Sequence, residues 1–407
     1  MEAIRVLKNR HILLGVTGSI AVYKAVDLAS KLTQAGAQVD VIMTEAAQRF
    51  VTPLSFQSVT GRPVYTDLWG TEQSGGLGTH IAHVGLGEGA ALLAIVPATA
   101  NTLAKIAGGL ADDLLSVTAL AARCPLLIAP AMDGGMYQHP ATQANVATLV
   151  ERGAVLVEPE VGRFASGLVG QGRLPETPTL LGHIRWALGR DGVLAGRRVV
   201  VTAGGPREPL DPVRYISNYS SGKQGTAIAQ AALDAGAQVT LITSAALPTP
   251  IGAEVVAVES AMEMNDAVLE RSAGADVLVM AAAVADYRPA QMAAHKMKKE
   301  DAEAPTLTLK PTPDILMNVK GMSHRPKVVV GFAAESDDLL ANAQSKLQRK
   351  ALDLLVANDI TASDAGFHVD TNRVVILDRS GSQESLDLMR KSDVAEVLIG
   401  RISGLLK

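Results

Sequence analysis

The chain has 407 residues, 37 lysines and arginines against 41 aspartates and glutamates, and one cysteine, Cys124. Such a charge balance offers no basic field for nucleic acid, and a lone cysteine rules out an internal disulfide and fits a reducing cytoplasm, while 48% apolar and 19% charged residues allow large cores and argue against long disorder. The length suits two or three domains; the first residues lack the apolar core of a signal peptide, and the most apolar stretch, Ala90 to Ile106, is broken by Pro97, Asn101 and Lys105, so no membrane span is expected.

Asn9 to Thr17 predicts a strand, Ser19 to Ala35 a helix and Gln38 to Met43 a second strand. Gly15-Val-Thr-Gly-Ser-Ile20 is glycine-rich but is not G-x-G-x-x-G, because Thr17 and Ala21 occupy the second and third glycine positions. Thr44, not an acid, ends the second strand, which disfavours NAD. Thr17 and Ser19 can offer hydroxyls to a phosphate at the helix start, which suits a mononucleotide. A strand over Ala91 to Val96 runs into Pro97-Ala-Thr-Ala-Asn101, and one over Pro125 to Ala129 into Pro130-Ala-Met-Asp133. In a doubly wound fold these strand-end loops converge on one crevice. Cys124, at the start of an apolar strand, reads as a small buried thiol.

The pattern then begins again. Ala35-Gly-Ala-Gln-Val39 recurs as Ala235-Gly-Ala-Gln-Val239, each a helix end, a glycine stop and the next parallel strand. Two such starts predict two doubly wound, Rossmann-like α/β domains with mainly parallel sheets, over residues 1–190 and 191–407, with the boundary in Gly189 to Gly196. Between the strand Arg198 to Thr202 and a helix expected from Thr226 lies a loop of about twenty residues where a few suffice. It carries Arg207, Arg214, Asn218 and Lys223, groups suited to an anionic, phosphate-bearing ligand at the carboxyl end of a parallel strand. Asp276 to Met280, Lys327 to Gly331 and Leu352 to Ala357 predict buried strands, Gly366 to Asp378 a late antiparallel hairpin and Ser392 to Leu405 a closing helix. Asp286 follows the first of these strands, Lys296-Met-Lys-Lys299 forms a basic arm, and Lys346 and Lys350 share one face of a helix expected over Leu339 to Ala351.

Val16 to Ile20, Pro97 to Asn101 with Asp112-Asp-Leu-Leu-Ser116, and Pro130 to Met132 resemble the flavin-dependent cysteine decarboxylases. The loop Thr202 to Gly225 resembles that of the phosphopantothenate–cysteine ligases. In their order, over nearly the whole chain, these motifs resemble the bifunctional phosphopantothenoylcysteine decarboxylase/phosphopantothenate–cysteine ligase family of coenzyme A biosynthesis. The resemblance implies a flavodoxin-like first domain that binds FMN through Gly15, Thr17, Gly18, Ser19, Thr44, Pro97, Ala98, Thr99, Ala100, Asn101, Ser116, Ala131 and Met132. There the flavin oxidises the substrate's cysteine thiol and the adjacent carboxylate leaves as CO2. The base is assigned to His83, fourteen residues before Pro97, with His80 as the competitor.

For the second domain the resemblance implies activation of 4′-phosphopantothenate by CTP with Mg2+ to an acyl-cytidylate, which the amine of cysteine then attacks. Asn218 matches the residue supporting the first step and Lys296 the one needed for the second. Ala281, Ala282, Ala283, Asp286, Pro313, Asp314, Ile315 and Leu316 match the nucleotide-holding positions, Phe332 the one against cytosine, and Lys346 and Lys350 the triphosphate lysines; Asp286 is also the candidate metal residue. The partners implied are these small molecules and further copies of the chain, as ligase dimers and flavin-domain trimers, in the cytoplasm. Three positions depart from the family: Asp133 replaces an asparagine, Ser166 a proton-donating cysteine in the glycine-rich flap Phe164-Ala-Ser-Gly167, and Pro206 a common threonine. The alternative is an active ligase fused to an impaired or non-catalytic flavin-binding domain.

Overall fold

The computed structural model describes residues 4–69, 82–164, 167–297, 306–335, 339–359 and 369–407. The chain forms two compact units, Met1–Gly189 and Arg190–Lys407.

The first unit contains strands β1 (His11–Val16), β2 (Gln38–Met43), β3 (Val64–Tyr65), β4 (Leu92–Ala98), β5 (Leu126–Pro130) and β6 (Val155–Leu156), and a separate antiparallel hairpin of β7 (Glu160–Arg163) and β8 (Val169–Arg173). The six-stranded sheet is parallel throughout, in the order β3-β2-β1-β4-β5-β6. Without the two-residue edge strand β3 the order is flavodoxin-like; with it, it is that of the dinucleotide-binding fold. The central strands are largely apolar, as suits a sheet with both faces covered. Ile12, Leu14 and Val16 join one core with the helices Val22–Gln34 and Thr177–Gly189, while Leu13 joins another with Ala100–Gly108 and Leu114–Ala121. The first helix starts at Val22 rather than at the expected Ser19, since residues 18–21 form a turn.

The second unit contains β9 (Arg198–Ala203), β10 (Glu208–Pro209), β11 (Tyr215–Ile216), β12 (Gln238–Thr243), β13 (Glu254–Ala257), β14 (Val277–Met280), β15 (Tyr287–Pro289), β16 (Leu309–Pro311), β17 (Val328–Glu335), β18 (Leu354–Asp359), β19 (Thr371–Asp378) and β20 (Gln383–Arg390). Its main sheet runs β13-β12-β9-β14-β17-β18-β19-β20. Counted from β9, the six parallel strands repeat the order of the first unit, and β19 and β20 extend it antiparallel. The late hairpin therefore lies further on than Gly366 to Asp378: β19 is its first strand, and β20, largely exposed, carries too little apolar alternation to announce itself. The first helix of this unit, Lys223–Asp234, starts three residues before the expected Thr226, from Gly222 in the left-handed region at φ 76°.

The repeated pentapeptide is a helix stop used twice. Gly36 and Gly236 have φ of 95° and 92°. Ala37 N donates to Leu32 O, and Ala237 N to Ala232 O, closing the same turn. Gln38 N then reaches Arg10 O, and Gln238 N reaches Arg197 O, which starts each second strand beside the first.

A second shared device sits where each sheet reverses direction. Thr17, 1% exposed, donates its hydroxyl to Pro97 O at 2.7 Å and accepts from Thr99 N at 3.0 Å. Thr202, fully buried, accepts from Ala282 N at 3.1 Å. In both units a buried threonine just past or near the end of the first strand latches the loop after the fourth. Replacing it with isosteric valine strands a loop N–H without a partner, at about 1–3 kcal/mol. Both tryptophans, Trp69 and Trp186, lie in the first unit. In urea titrations Thr17→Val is therefore expected to lower the midpoint seen by tryptophan fluorescence, and Thr202→Val to lower only the transition followed by circular dichroism.

At the other end of β1, His11 Nδ1 lies 2.9 Å from Gly89 O and Nε2 lies 2.5 Å from Asp40 Oδ2. A carbonyl and a carboxylate both accept, so only the imidazolium serves both. Arg62 Nε donates to Asp40 Oδ1 at 2.6 Å. The hydrogen bond to Asp40 raises the His11 pKa above 6.5 against the opposing effect of burial. Burial pushes Asp40 up, but its bonds to His11 and Arg62 outweigh this and hold it below 3.8. The His11 contribution is thus complete below 6.5 and lost as pH rises through its raised folded value; that of Asp40 is complete above 3.8 and lost as pH falls through its lowered one. Urea titrations followed by tryptophan fluorescence from about pH 6 to pH 9 are expected to show a loss of first-unit stability that His11→Gln lacks.

Candidate functional site

In the first unit the crevice lies between the carboxyl ends of β1 and β4. Gly15 is buried, and a Cβ there would sit 2.5 Å from Leu115 Cδ1; one at Gly18 would sit 2.6 Å from Ala46 Cβ. These glycines let the loop pack closely. The helix Val22–Gln34 has no side-chain cap on its first turn. Ser19 Oγ accepts from Ala21 N, which leaves its proton available to a ligand. Thr44 and Thr99 cap the helices Glu45–Gln48 and Ala100–Gly108, with Pro97 and Ala98 ending β4 and Ala100 and the exposed Asn101 in the first turn that follows. Two expected cofactor hydroxyls have other work. Thr17 is the latch, its proton given to Pro97. Ser116, 1% exposed, forms a capping box with Asp113. His83 is half-buried near the start of the helix Ala82–Gly89, whose far end is tied to His11 at the amino end of β1. That direction sets the start of the helix toward the carboxyl edge of the sheet. His80 lies outside the described residues.

The flap is built on glycines. Met132 N donates to Gly172 O at 3.0 Å, joining the loop after β5, with the buried Ala131, to the β7–β8 hairpin. The Phe164 ring lies over Gly134 and Gly170, where a Cβ would come within 3.1 and 3.2 Å of it. Ser166 lies outside the described residues. Asp133 caps the short helix Gly134–Tyr137, its Oδ1 accepting from Gly135 N at 3.1 Å. Asparagine and aspartate cap equally well, so this departure changes charge and keeps geometry. Asp133→Asn is expected to leave the urea midpoint unchanged, and Asp133→Ala to cost about 1 kcal/mol, both read from tryptophan-detected urea titrations.

The second unit holds a cavity of about 460 Å³ at the carboxyl ends of β14, β17 and β18. It gathers Asn218 from the long loop, Ala281, Ala282, Ala283 and Asp286 from the segment after β14, Pro313, Asp314, Ile315 and Leu316 before and within the helix Ile315–Lys320, Phe332 of β17, and Lys346 and Lys350. Asn218 Nδ2 donates to Val284 O at 3.2 Å, fixing it to the wall. Asp314 caps its helix and accepts from Lys350 Nζ at 2.9 Å. Among the described residues no three histidines, cysteines or carboxylates cluster as metal ligands. Asp286 and Asp314 are the described carboxylates that line the cavity.

Lys296 is exposed and does not line the cavity, but its neighbour is fastened. Asp211, its side chain buried, accepts from Arg214 Nε at 2.9 Å and from Met297 N at 3.2 Å, and Arg214 in turn donates to Met297 O at 2.6 Å. The Arg214 guanidinium, ahead of the opposing burial, holds Asp211 well below the usual carboxylate range. So the long loop grips the root of the basic arm; Lys298 and Lys299 lie outside the described residues. Sequence reasoning missed Gln224, Asn358, Asn372 and Lys391, which also line the cavity. The available signal was Asn372, which shares the buried register of β19 with Val374 and Ile376.

No helix among the described residues is long and apolar enough to cross a membrane. The family model described as "Flavoprotein" matches residues 2–188, and "DNA/pantothenate metabolism flavoprotein C-terminal domain" matches 194–405. Among curated relatives, the "Coenzyme A biosynthesis bifunctional protein CoaBC" of Bacillus subtilis is 46% identical over 98% of this chain and 98% of its own. The protein of that name from Mycobacterium bovis is 45% identical over 97% of this chain and 96% of its own, and that of Vibrio vulnificus 41% over 98% and 99%. With similarity running end to end through both units, the chain belongs to the family of coenzyme A biosynthesis bifunctional proteins.

Proposed function

We propose that the chain joins cysteine to 4′-phosphopantothenate in residues 191–407 and decarboxylates the product to 4′-phosphopantetheine in residues 1–190. The observation that carries this reading is the cavity of the second unit, where Asn218, Asp286, Phe332, Lys346 and Lys350 converge from four separate segments. Full-length similarity to relatives named as bifunctional proteins supports both halves over an impaired first domain. The assembly proposed is a homo-oligomer, with dimers through the ligase and trimers through the flavin domain, in the cytoplasm.

In the ligase the carboxylate of 4′-phosphopantothenate attacks the α-phosphorus of CTP and pyrophosphate leaves. The amine of cysteine then attacks the acyl carbon and CMP leaves. Both steps gather negative charge, and fixed donors in a cavity stabilise it without reorganising. Lys346 and Lys350 face the triphosphate, with Lys350 oriented by Asp314. Phe332 meets the cytosine, and Ala281 to Ala283 and Pro313 to Leu316 form the walls. Asp286 would hold Mg2+ arriving with the phosphates, and the ion would supply charge stabilisation there. Asn218, anchored through one amide hydrogen, keeps the other for the reacting carboxylate. Lys296 swings in on its anchored arm for the second step.

In the decarboxylase, FMN when bound supplies the two-electron oxidation of the substrate thiol and the later reduction. The uncapped helix start at Val22 with Ser19 fits its phosphate, and Gly15, Gly18, Thr44, Pro97 to Asn101, Ala131 and Met132 frame the rest. His83 takes the thiol proton. Asp133 faces the substrate carboxylate, and Ser166, a far weaker acid than a thiol of pKa about 8.5, leaves the last proton to water or Asp133.

The test is the purified chain with 4′-phosphopantothenate, cysteine, CTP and Mg2+, the products followed by mass. Amide and then 4′-phosphopantetheine are expected, with FMN as the released chromophore. Lys296→Gln is expected to accumulate acyl-cytidylate, and His83→Asn to stop at the amide. No amide from the wild-type chain overturns the ligase reading; amide without loss of CO2 overturns that of the first domain.

A further inference from the structure

The turn that joins β10 to β11 is closed by Leu210 N, which donates to Arg214 O at 2.8 Å, and Asp211 sits inside it, 2% exposed. Its two carboxylate oxygens divide their work. Oδ1 accepts from Val213 N and Arg214 N, both at 2.8 Å, and so builds the turn. Oδ2 accepts from Arg214 Nε at 2.9 Å and from Met297 N at 3.2 Å. Arg214 also donates to Met297 O at 2.6 Å, so both polar groups of the Met297 backbone are held. Leu210 O takes the other side of the arm, accepting from Ala293 N at 2.9 Å. A carboxylate withdrawn from water is costly unless donors surround it, and here the arm itself supplies one of them.

Lys296 lies between these two holds, exposed, on a backbone fastened at Ala293 and at Met297. A lysine head on its long flexible stem reaches a reacting centre reproducibly only from a fixed root. Asp211 does not line the cavity, so its effect on the chemistry passes through the groups it holds. We propose that Asp211 is a positioning residue for the second ligase step, setting Lys296 through Met297 for the attack of the cysteine amine on the acyl-cytidylate. In that step the C–N bond forms as the bond from the acyl carbon to the CMP oxygen breaks; the amine gives up a proton and CMP leaves with the electron pair. The inference rests on the ligase reading and on its assignment of Lys296 to this step. The first step, which makes the acyl-cytidylate, does not use the arm in that reading.

The experiment uses the full chain as wild type, Asp211→Asn, Lys296→Gln and the double variant, in two stages. CTP, 4′-phosphopantothenate and Mg2+ are mixed first and acyl-cytidylate is followed by mass; saturating cysteine is then added and the decay to amide is timed. Asparagine has one acceptor oxygen where aspartate has two, so it can hold the turn or the arm but not both. Asp211→Asn is expected to form acyl-cytidylate at the wild-type rate and to slow its decay by about tenfold or more. Because Asp211 acts through Lys296, the double variant is expected to be no slower than Lys296→Gln. If Asp211→Asn does not fold, Asp211→Ser decides with the same readout: its hydroxyl can still close the turn and offers no second oxygen to Met297. An unchanged decay, equal losses in both stages, or a double variant slower than Lys296→Gln by the whole Asp211→Asn factor overturns the proposal alone. If the wild-type chain forms no acyl-cytidylate, the ligase reading has failed; if Lys296→Gln leaves the decay unchanged, the assignment of Lys296 has failed; in either case the proposal falls with it.

Discussion

A buried threonine hydroxyl at the reversal point of each sheet fixes where everything else in its unit can act. In a parallel sheet with helices on both faces, the connections after the first and fourth strands leave in opposite directions and open a crevice. Left alone, that crevice would be bordered by two loops with unpaired backbone groups. Thr17 binds the loop at Pro97 and Thr99 from one side, and Thr202 binds Ala282 in the second unit. Each latch turns a gap between loops into a shaped wall. In the second unit the latched segment, Ala281 to Asp286, is one side of the cavity, and Asn218 is bonded to it through Val284.

The long loop after β9 follows from the same constraint. Its glycines press close to neighbouring strands: a Cβ at Gly204 would lie 2.5 Å from Ser244 Oγ, and one at Gly222 2.5 Å from Ala245 Cβ. The loop thereby fills the half of the crevice above β9 and β12, and the cavity forms on the β14–β17–β18 side. Its hairpin of β10 and β11 carries the Asp211–Arg214 pair that grips Met297. One loop thus shapes the cavity and roots the arm that bears Lys296.

Much of this was legible in the sequence. Unbroken apolar strands announced sheets covered on both faces, and the repeated Ala-Gly-Ala-Gln-Val announced two domains that start alike, down to the φ of Gly36 and Gly236. The strand-end segments around Ala281, Pro313 and Phe332 were read as one site, and the structure gathers them around one cavity. Hydroxyls were harder. A threonine or serine in a strand-end loop can hold a phosphate, latch a loop or cap a helix, and the sequence does not separate these; Thr17 latches and Ser116 caps. The strand β20 was missed because Gln383 to Arg390 buries only Leu386, and Lys391 was missed because the cavity it lines is assembled from segments far apart in the chain.

A crystal structure of the chain with CTP and Mg2+ tests most directly the claim that the latched reversal point of the second unit is its nucleotide site. The cytosine is predicted against Phe332, with the α-phosphate beside Ala281 to Ala283 and the phosphate chain facing Lys346 and Lys350. A nucleotide bound anywhere outside that cavity, or above β9 and β12 where the long loop now packs, would contradict the account.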